Sequence, residues 1–191
     1  MISIYEMNKY LKENLIENRY NHTVGVVNTA IELAEIHGED KFKAEIAALS
    51  HDIAKNMKVT DLKKLIDEEG ISLTIDEERN MELWHAIVAP ILGKKVFKIE
   101  DDEILSAMRW HTTGKENMSN LDKIIYLADL IEPSRKFNGL DELRKVARED
   151  LDLAMIKALT HTIKFLLDRG VAIDGNTFKA RNYLLYNNVK L

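Results

Sequence analysis

Cysteine is absent from the 191 residues, which removes disulfides, thiolate metal sites and thiol catalysis together. Proline and glycine are scarce, at 2 and 8 residues, so turns are few and long helices are favoured over many short strands. No apolar run approaches the roughly 20 residues that cross a bilayer. The first residues, Met1-Ile2-Ser3-Ile4-Tyr5-Glu6, have neither the basic nor the apolar region of a signal peptide. The cytoplasm is therefore the expected location, with no membrane partner. A surplus of positive charge is missing too. The formal charge of -5 argues against nonspecific nucleic-acid binding, while leaving room for a local basic pocket. What is present, 46% hydrophobic and 31% charged residues, is a globular balance at a length suited to one domain over residues 1–191.

Periodicity predicts an all-α bundle. A first helix over about 3–17 carries Ile4, Met7, Leu11 and Leu15 on one face. A second over about 19–37 has His22, Val26, Thr29, Leu33 and Ile36 on its buried stripe, with Gly38 as the stop. A third carries His51-Asp52 and runs to about Lys55-Asn56-Met57. Thr60 has the character of an N-cap for a short helix, Asp61 to Glu69, that ends at Gly70. Further helices are expected from Asp101 to Trp110, after Ser119 with a capping box to Asp122, from Leu140, from about 150 to 168, and after the Asp174-Gly175 turn. In the 150–168 helix, Leu151, Met155, Ala158, Thr162 and Phe165 form a packing seam. His161 beside that seam and His37 at a helix C-terminus read as structural.

The stretch Ala47-Ala48-Leu49-Ser50-His51-Asp52-Ile53-Ala54-Lys55 sets two ligand-type residues behind a small, apolar run. Polar groups beside such a run cost free energy unless hydrogen-bonded, ion-paired or metal-bound. On a helix His51 and Asp52 splay by roughly 100°, so they share an ion only over the edge between them. Lys55, four residues on from His51, would reach past that ion to an anion. His22 heads an apolar stripe, His85 lies among Trp84, Ile87 and Val88, and Asp129 lies inside Ile124-Ile125-Tyr126-Leu127-Ala128-Asp129-Leu130-Ile131. His111 at a helix end leads into Thr112-Thr113-Gly114-Lys115, a composition suited to phosphate oxygens.

Six groups of this kind, His22, His51, Asp52, His85, His111 and Asp129, fit two divalent first-row ions better than one, which they would saturate. Without thiolate, iron and manganese are at least as suitable as zinc. Two such ions and two carboxylates leave a double positive charge, with Lys55, Lys115 and Arg135 as possible neighbours. That site asks for hydroxide and an anionic ligand, most naturally phosphate. Lys55 and Arg135 are expected to hold phosphate rather than metal.

The chain resembles the HD-domain superfamily and, within it, the YqeK family of phosphohydrolases. The matching segments are Arg19-Tyr20-Asn21-His22-Thr23-Val24-Gly25-Val26, His51-Asp52-Ile53-Ala54-Lys55, His111-Thr112-Thr113-Gly114, Met118-Ser119, Tyr126 through Arg135, and Thr177-Phe178-Lys179-Ala180-Arg181-Asn182. The resemblance implies an α-helical HD fold and a metal centre, often of iron. It also implies hydrolysis of diadenosine tetraphosphate into two ADP by metal-activated hydroxide attack on an inner phosphorus. With it, His51, Asp52 and Lys55 are the expected catalytic residues, and Arg19, Lys55, Thr112, Thr113, Gly114, Lys115 and Arg135 the expected substrate contacts. The expected cofactor is dinuclear iron, with manganese or another divalent ion as the alternative. Many relatives carry Gly-Pro just after the third histidine, where this chain has Ala86-Ile87, so His85 departs from the pattern.

The same residues leave other readings open: an HD phosphohydrolase of mononucleotides or cyclic nucleotides, a di-iron oxygenase, or a nucleotide- or iron-sensing module without turnover. The expected partner is a dinucleoside polyphosphate or another nucleotide, and a homodimer is an open alternative to a monomer.

Overall fold

Three helices start by the same reciprocal device. Ser3 with Glu6, Thr74 with Glu77, and Ser119 with Asp122 each form a capping box, in which hydroxyl and carboxylate exchange bonds with two otherwise unpaired amides. The computed structural model describes residues 2–188, and among them every regular element is helical. In chain order these are α1 (Ile4–Asn14), α2 (Glu17–His37), α3 (Lys41–Ser50), α4 (Val59–Glu68), α5 (Ile75–Arg79), a 3-10 turn (Met81–Leu83), α6 (Trp84–Phe97), α7 (Asp102–Trp110), α8 (Asn120–Ile131), α9 (Leu140–Glu149), α10 (Leu151–Asp168) and α11 (Gly175–Asn188).

α2 packs against both α3 and α8, and α7 closes on α8 and α6. The core between them is built from small and branched side chains: Ala30, Leu33, Ala47, Ala48, Ile124, Ile125 and Leu127 are all but fully buried. Small residues let these axes approach closely, which brings the helix ends together. α6 is apolar nearly all round, and it keeps Pro90 in its interior despite the backbone bond that proline removes.

The expectations for α1, α7, α8, α9 and α10 hold within a few residues. Gly38 caps α2 in the left-handed region at φ 71°, as its position predicts. Four expectations need correction. α3 stops at Ser50 rather than near Lys55, because the carbonyls of Ser50, Asp52 and Ala54 accept amides three residues on. His51 and Asp52 therefore sit in tight turns at the helix exit. α4 begins at Val59, not after Thr60, because the Lys58 carbonyl accepts the amides of Asp61 and Leu62. On α2 the buried stripe passes from Leu33 to His37, whose Nε2 lies 2.8 Å from the Ala147 carbonyl oxygen, and Ile36 stays 45% exposed. The α10 seam ends early too: Phe165 is 48% exposed, because the second half of that helix borders an open cleft.

Candidate metal centre

Five helix ends meet at one place. His22 lies in the second turn of α2, His51 and Asp52 follow α3, and His85 is the second residue of α6. His111 follows α7, and Asp129 sits near the end of α8. Each position was chosen by a helix terminus, where backbone groups lack their usual partners. Three of the histidines exploit this directly. Nδ1 of His51 lies 2.6 Å from the Ala48 carbonyl oxygen, that of His85 2.6 Å from the Glu82 oxygen, and that of His111 2.8 Å from the Met108 oxygen. All three reach back three residues to a carbonyl, which accepts the Nδ1 proton. The fourth, His22, donates from Nδ1 to Glu132 Oε1 at 3.0 Å.

With Nδ1 committed as donor in all four rings, Nε2 is left with a lone pair, which is how a metal-ligating histidine is prepared. The Nε2 atoms converge. His22 Nε2 is 2.9 Å from Asp129 Oδ1, and His51 Nε2 is 3.5 Å from Asp52 Oδ2. Asp52 Oδ1 stands 3.4 Å from His85 Nε2 and 3.6 Å from His111 Nε2, and those two nitrogens are 3.3 Å apart. Two compact sets result, His22–His51–Asp129 and His51–Asp52–His111, with His85 beside the second. Ligand atoms on neighbouring vertices around an ion at about 2.1 Å lie roughly 3.0–3.4 Å apart. The observed spacings bracket that range.

A more pointed observation is that His22 Nε2 and His51 Nε2 are buried without a hydrogen-bond partner. Two orphaned lone pairs facing carboxylates are costly in a bare core and useful around a cation. The residues present fit a divalent metal. Charge agrees. Burial opposes ionisation of Asp52, but His51 and His111 hold its carboxyl well below the usual carboxylate range, and burial of Asp129 is likewise overcome, first by the adjacent His22 ring and then by His51. Burial and the neighbouring His111 push His85 down to about 3, so that ring is neutral at pH 7 and free to ligate. His51 goes the other way: burial disfavours its proton, yet Asp52 and Asp129 together raise its pKa.

Around this cluster the cations are unequally placed. Lys55 Nζ lies 3.4 Å from both ring nitrogens of His85. Arg19 donates to Asp52 Oδ2 at 2.8 Å. Arg135 donates from Nη2 to Asp129 Oδ1 at 2.7 Å and from Nε to the Asp129 carbonyl oxygen at 2.9 Å. Lys55, Thr112 and Arg135 line a cleft of about 710 Å³ that starts at His85. Arg19 and Arg135 also border a recess of about 180 Å³ beside His22.

Three of the expected phosphate contacts are not brought to the cluster. Thr113 is buried and donates to the Gly114 carbonyl. Gly114 is at φ +68°, and a methyl there would lie 3.2 Å from Ala180 Cβ and 3.3 Å from Met118 Sδ, so its role is a tight turn under α11. Lys115 turns away to donate to Ser106 Oγ at 2.8 Å and to pair with Asp122 at 3.4 Å. The Thr113 hydroxyl and the Gly114 amide, which donates to the Trp110 carbonyl at 2.9 Å, are spent within the turn, whereas Thr112 Oγ1 is buried without a partner.

Glu132 was not singled out from the sequence, although it follows directly on α8. It is 1% exposed, takes the His22 Nδ1 proton, and is pinned by the Ser134 amide at 2.7 Å and by the Ser134 hydroxyl. Burial works against its charge, but the Ser134 bonds and His22 hold the carboxyl below its usual range. A glutamate closing the apolar run that holds Asp129, with Pro133-Ser134 behind it, is the signal that could have found it.

Comparison with known proteins agrees with this geometry. The sequence profile of the HD domain matches residues 19–134. A Bacillus subtilis protein named bis(5'-nucleosyl)-tetraphosphatase, symmetrical, is 45% identical over 175 residues, covering 92% of this chain and 94% of that protein. A Staphylococcus aureus protein of the same name is 30% identical over 192 residues, covering all of this chain and 98% of its own. A crystal structure from Clostridium acetobutylicum, described as a predicted HD superfamily hydrolase involved in NAD metabolism, superposes with a TM-score of 0.95 at 46% identity, covering 98% of this chain and 100% of that one.

Proposed function

Because the chain belongs to the HD-domain family, in its YqeK-like branch, we propose that it hydrolyses diadenosine tetraphosphate symmetrically to two ADP. The observation that carries this reading is the set of four histidines whose Nδ1 protons are spoken for and whose Nε2 atoms face two ionised aspartates. His22, His51, Asp52, His85, His111 and Asp129 would hold two divalent first-row ions, iron or manganese before zinc. Such ions supply, when bound, a water of lowered pKa and a counter-charge for phosphate oxygens.

The chain's own cations do the rest. Lys55, beside His85, is repelled by ions and attracted by the phosphates drawn to them. Arg135 reaches the same space from the Asp129 side, and both line the cleft. A polyphosphate running between them presents an inner phosphorus at the cluster, with Thr112 as a hydroxyl donor at its flank. Water's oxygen joins that phosphorus as the bond to the central bridging oxygen breaks. The bridging oxygen leaves with the second ADP, and a proton is released to solvent. Arg19 keeps Asp52 in place by pairing with the oxygen that His85 and His111 do not approach.

Residues 1–191 are read as one HD domain acting in the cytoplasm. No helix among the described residues is long and apolar enough to cross a membrane. The test is hydrolysis of diadenosine tetraphosphate in ¹⁸O-water with Fe²⁺ or Mn²⁺. Two ADP, with one ¹⁸O shared between the pair, is the expected result. ATP with AMP, or no turnover with any first-row ion, would overturn the assignment.

A further inference from the structure

Hydrolysis at an inner phosphorus accounts for the cluster and its cations but not for the far end of the cleft. Leu166, next to Phe165, and Val171 add apolar surface to its walls there. It also holds a row of rings. His161 stacks on Phe137 with centroids 4.1 Å apart and planes 26° from parallel, and Phe165 continues the row at 6.5 Å and 19°. A row of this kind serving only to pack the core would be buried. Here Phe165 is 48% exposed, and all three rings border open space. Burial lowers the His161 pKa, so the ring is neutral at pH 7 and presents a π-face rather than a charge. Arg169 lies 5.0 Å over the Phe165 ring, and Lys136 stands at the rim, so the row is framed by cations at the edge.

We propose that this aromatic row seats the nucleobase of one half of the substrate, with His161 as the stacking residue that lets the site tell a nucleotide from a bare polyphosphate. The proposal rests on the hydrolytic reading for the phosphate chain and adds the part that reading leaves unassigned. One cleft is lined by the metal-type ligand His85, by Lys55 and Thr112, and by the three rings. A ligand that is anionic at one end and a flat ring system at the other matches that lining. At about 710 Å³ the space falls within the roughly 300–1,000 Å³ of small-molecule pockets. The 180 Å³ recess that Arg135 also borders falls below it, and its only ring is His22, a member of the metal-type cluster. Stacking also asks nothing of the base beyond a π-face, so the row would accept purines in general.

The experiment compares two probes on the Mn²⁺-loaded protein by calorimetry: ADP, which has a base, and inorganic tripolyphosphate, which has none. His161→Ala should weaken ADP at least about fivefold and leave tripolyphosphate and metal content unchanged, while His161→Phe should restore ADP binding. Phe165→Ser, at a half-exposed position, gives the same comparison should His161→Ala unfold. Unchanged ADP affinity, equal losses for both probes, or no ADP binding by the unaltered protein would each overturn the proposal. The two readings fail separately. A protein that binds ADP through His161 but does not cleave diadenosine tetraphosphate loses the hydrolytic reading alone. One that cleaves it with the same KM after His161→Ala loses the base seat alone.

Discussion

Gly25→Ala is the substitution that best tests how the proposed metal centre is held. Gly25 lies on α2, three residues beyond His22, and a methyl there would stand 2.7 Å from Glu132 Oε2. To reach ordinary contact at 3.4 Å the carboxylate must retreat by about 0.7 Å. A surface glutamate would yield at little cost, but this one is 1% exposed and fixed by His22 Nδ1 at 3.0 Å, the Ser134 amide at 2.7 Å and the Ser134 hydroxyl. Alanine within a helix gains about 0.5–1 kcal/mol over glycine. Disturbing the buried carboxylate costs about 1–3 kcal/mol, so the metal-free protein should be slightly less stable. The larger effect falls on metal, because a ligating histidine that loses its orienting partner binds about 10- to 100-fold more weakly. Manganese titration calorimetry on the metal-free protein measures this, with thermal melts as the control for folding. A cycle with Glu132→Ala sharpens the test. Once the carboxylate is gone there is nothing for the methyl to displace, so the double variant should bind metal no worse than Glu132→Ala alone. Wild-type affinity in Gly25→Ala, or additive losses in the double variant, would refute the reasoning.

Asp52→Ala should lose metal and activity together, whereas His37→Ala, which docks α2 on α9 only, should keep its metal; elemental analysis of both decides. Lys55→Met should retain its metal and raise KM or lower kcat, and unaltered kinetics would mark Lys55 as a bystander. Lys115→Met should leave KM unchanged and destabilise the fold by about 0.5–1.5 kcal/mol, read by denaturant unfolding, since its ammonium is bound to Ser106 and Asp122. Metal affinity should rise with pH. The raised His51 pKa means the metal-free protein holds that proton more tightly than a free imidazole of pKa 6.5, the ion must displace it, and the competition fades as pH climbs through the raised value. Equal manganese affinity at pH 6 and pH 8 would contradict this.

Helix content and most helix boundaries were legible in the chain, because capping residues and apolar periodicity act over a few neighbours and leave a local trace. Ser119 with Asp122 marks the start of α8, and Gly38 the end of α2, through local bonds alone. The ligand types were legible for a related reason: a histidine or aspartate inside an apolar run is anomalous wherever it stands. The rest depended on residues far apart. Nothing near His22 says that its Nδ1 proton goes to Glu132, 110 positions away, or that Gly25 must lack a side chain to make room. The composition of Thr112-Thr113-Gly114-Lys115 suggests a phosphate grip, yet only packing against Ala180, Ser106 and Asp122 decides which of these groups are spent on the turn. His161 flanks a seam in the sequence pattern, and only tertiary packing makes the end of that seam the wall of a cleft beside Phe137. Residue type and local period determine which groups can do chemistry, whereas burial and long-range hydrogen bonding determine which of them remain free to do it.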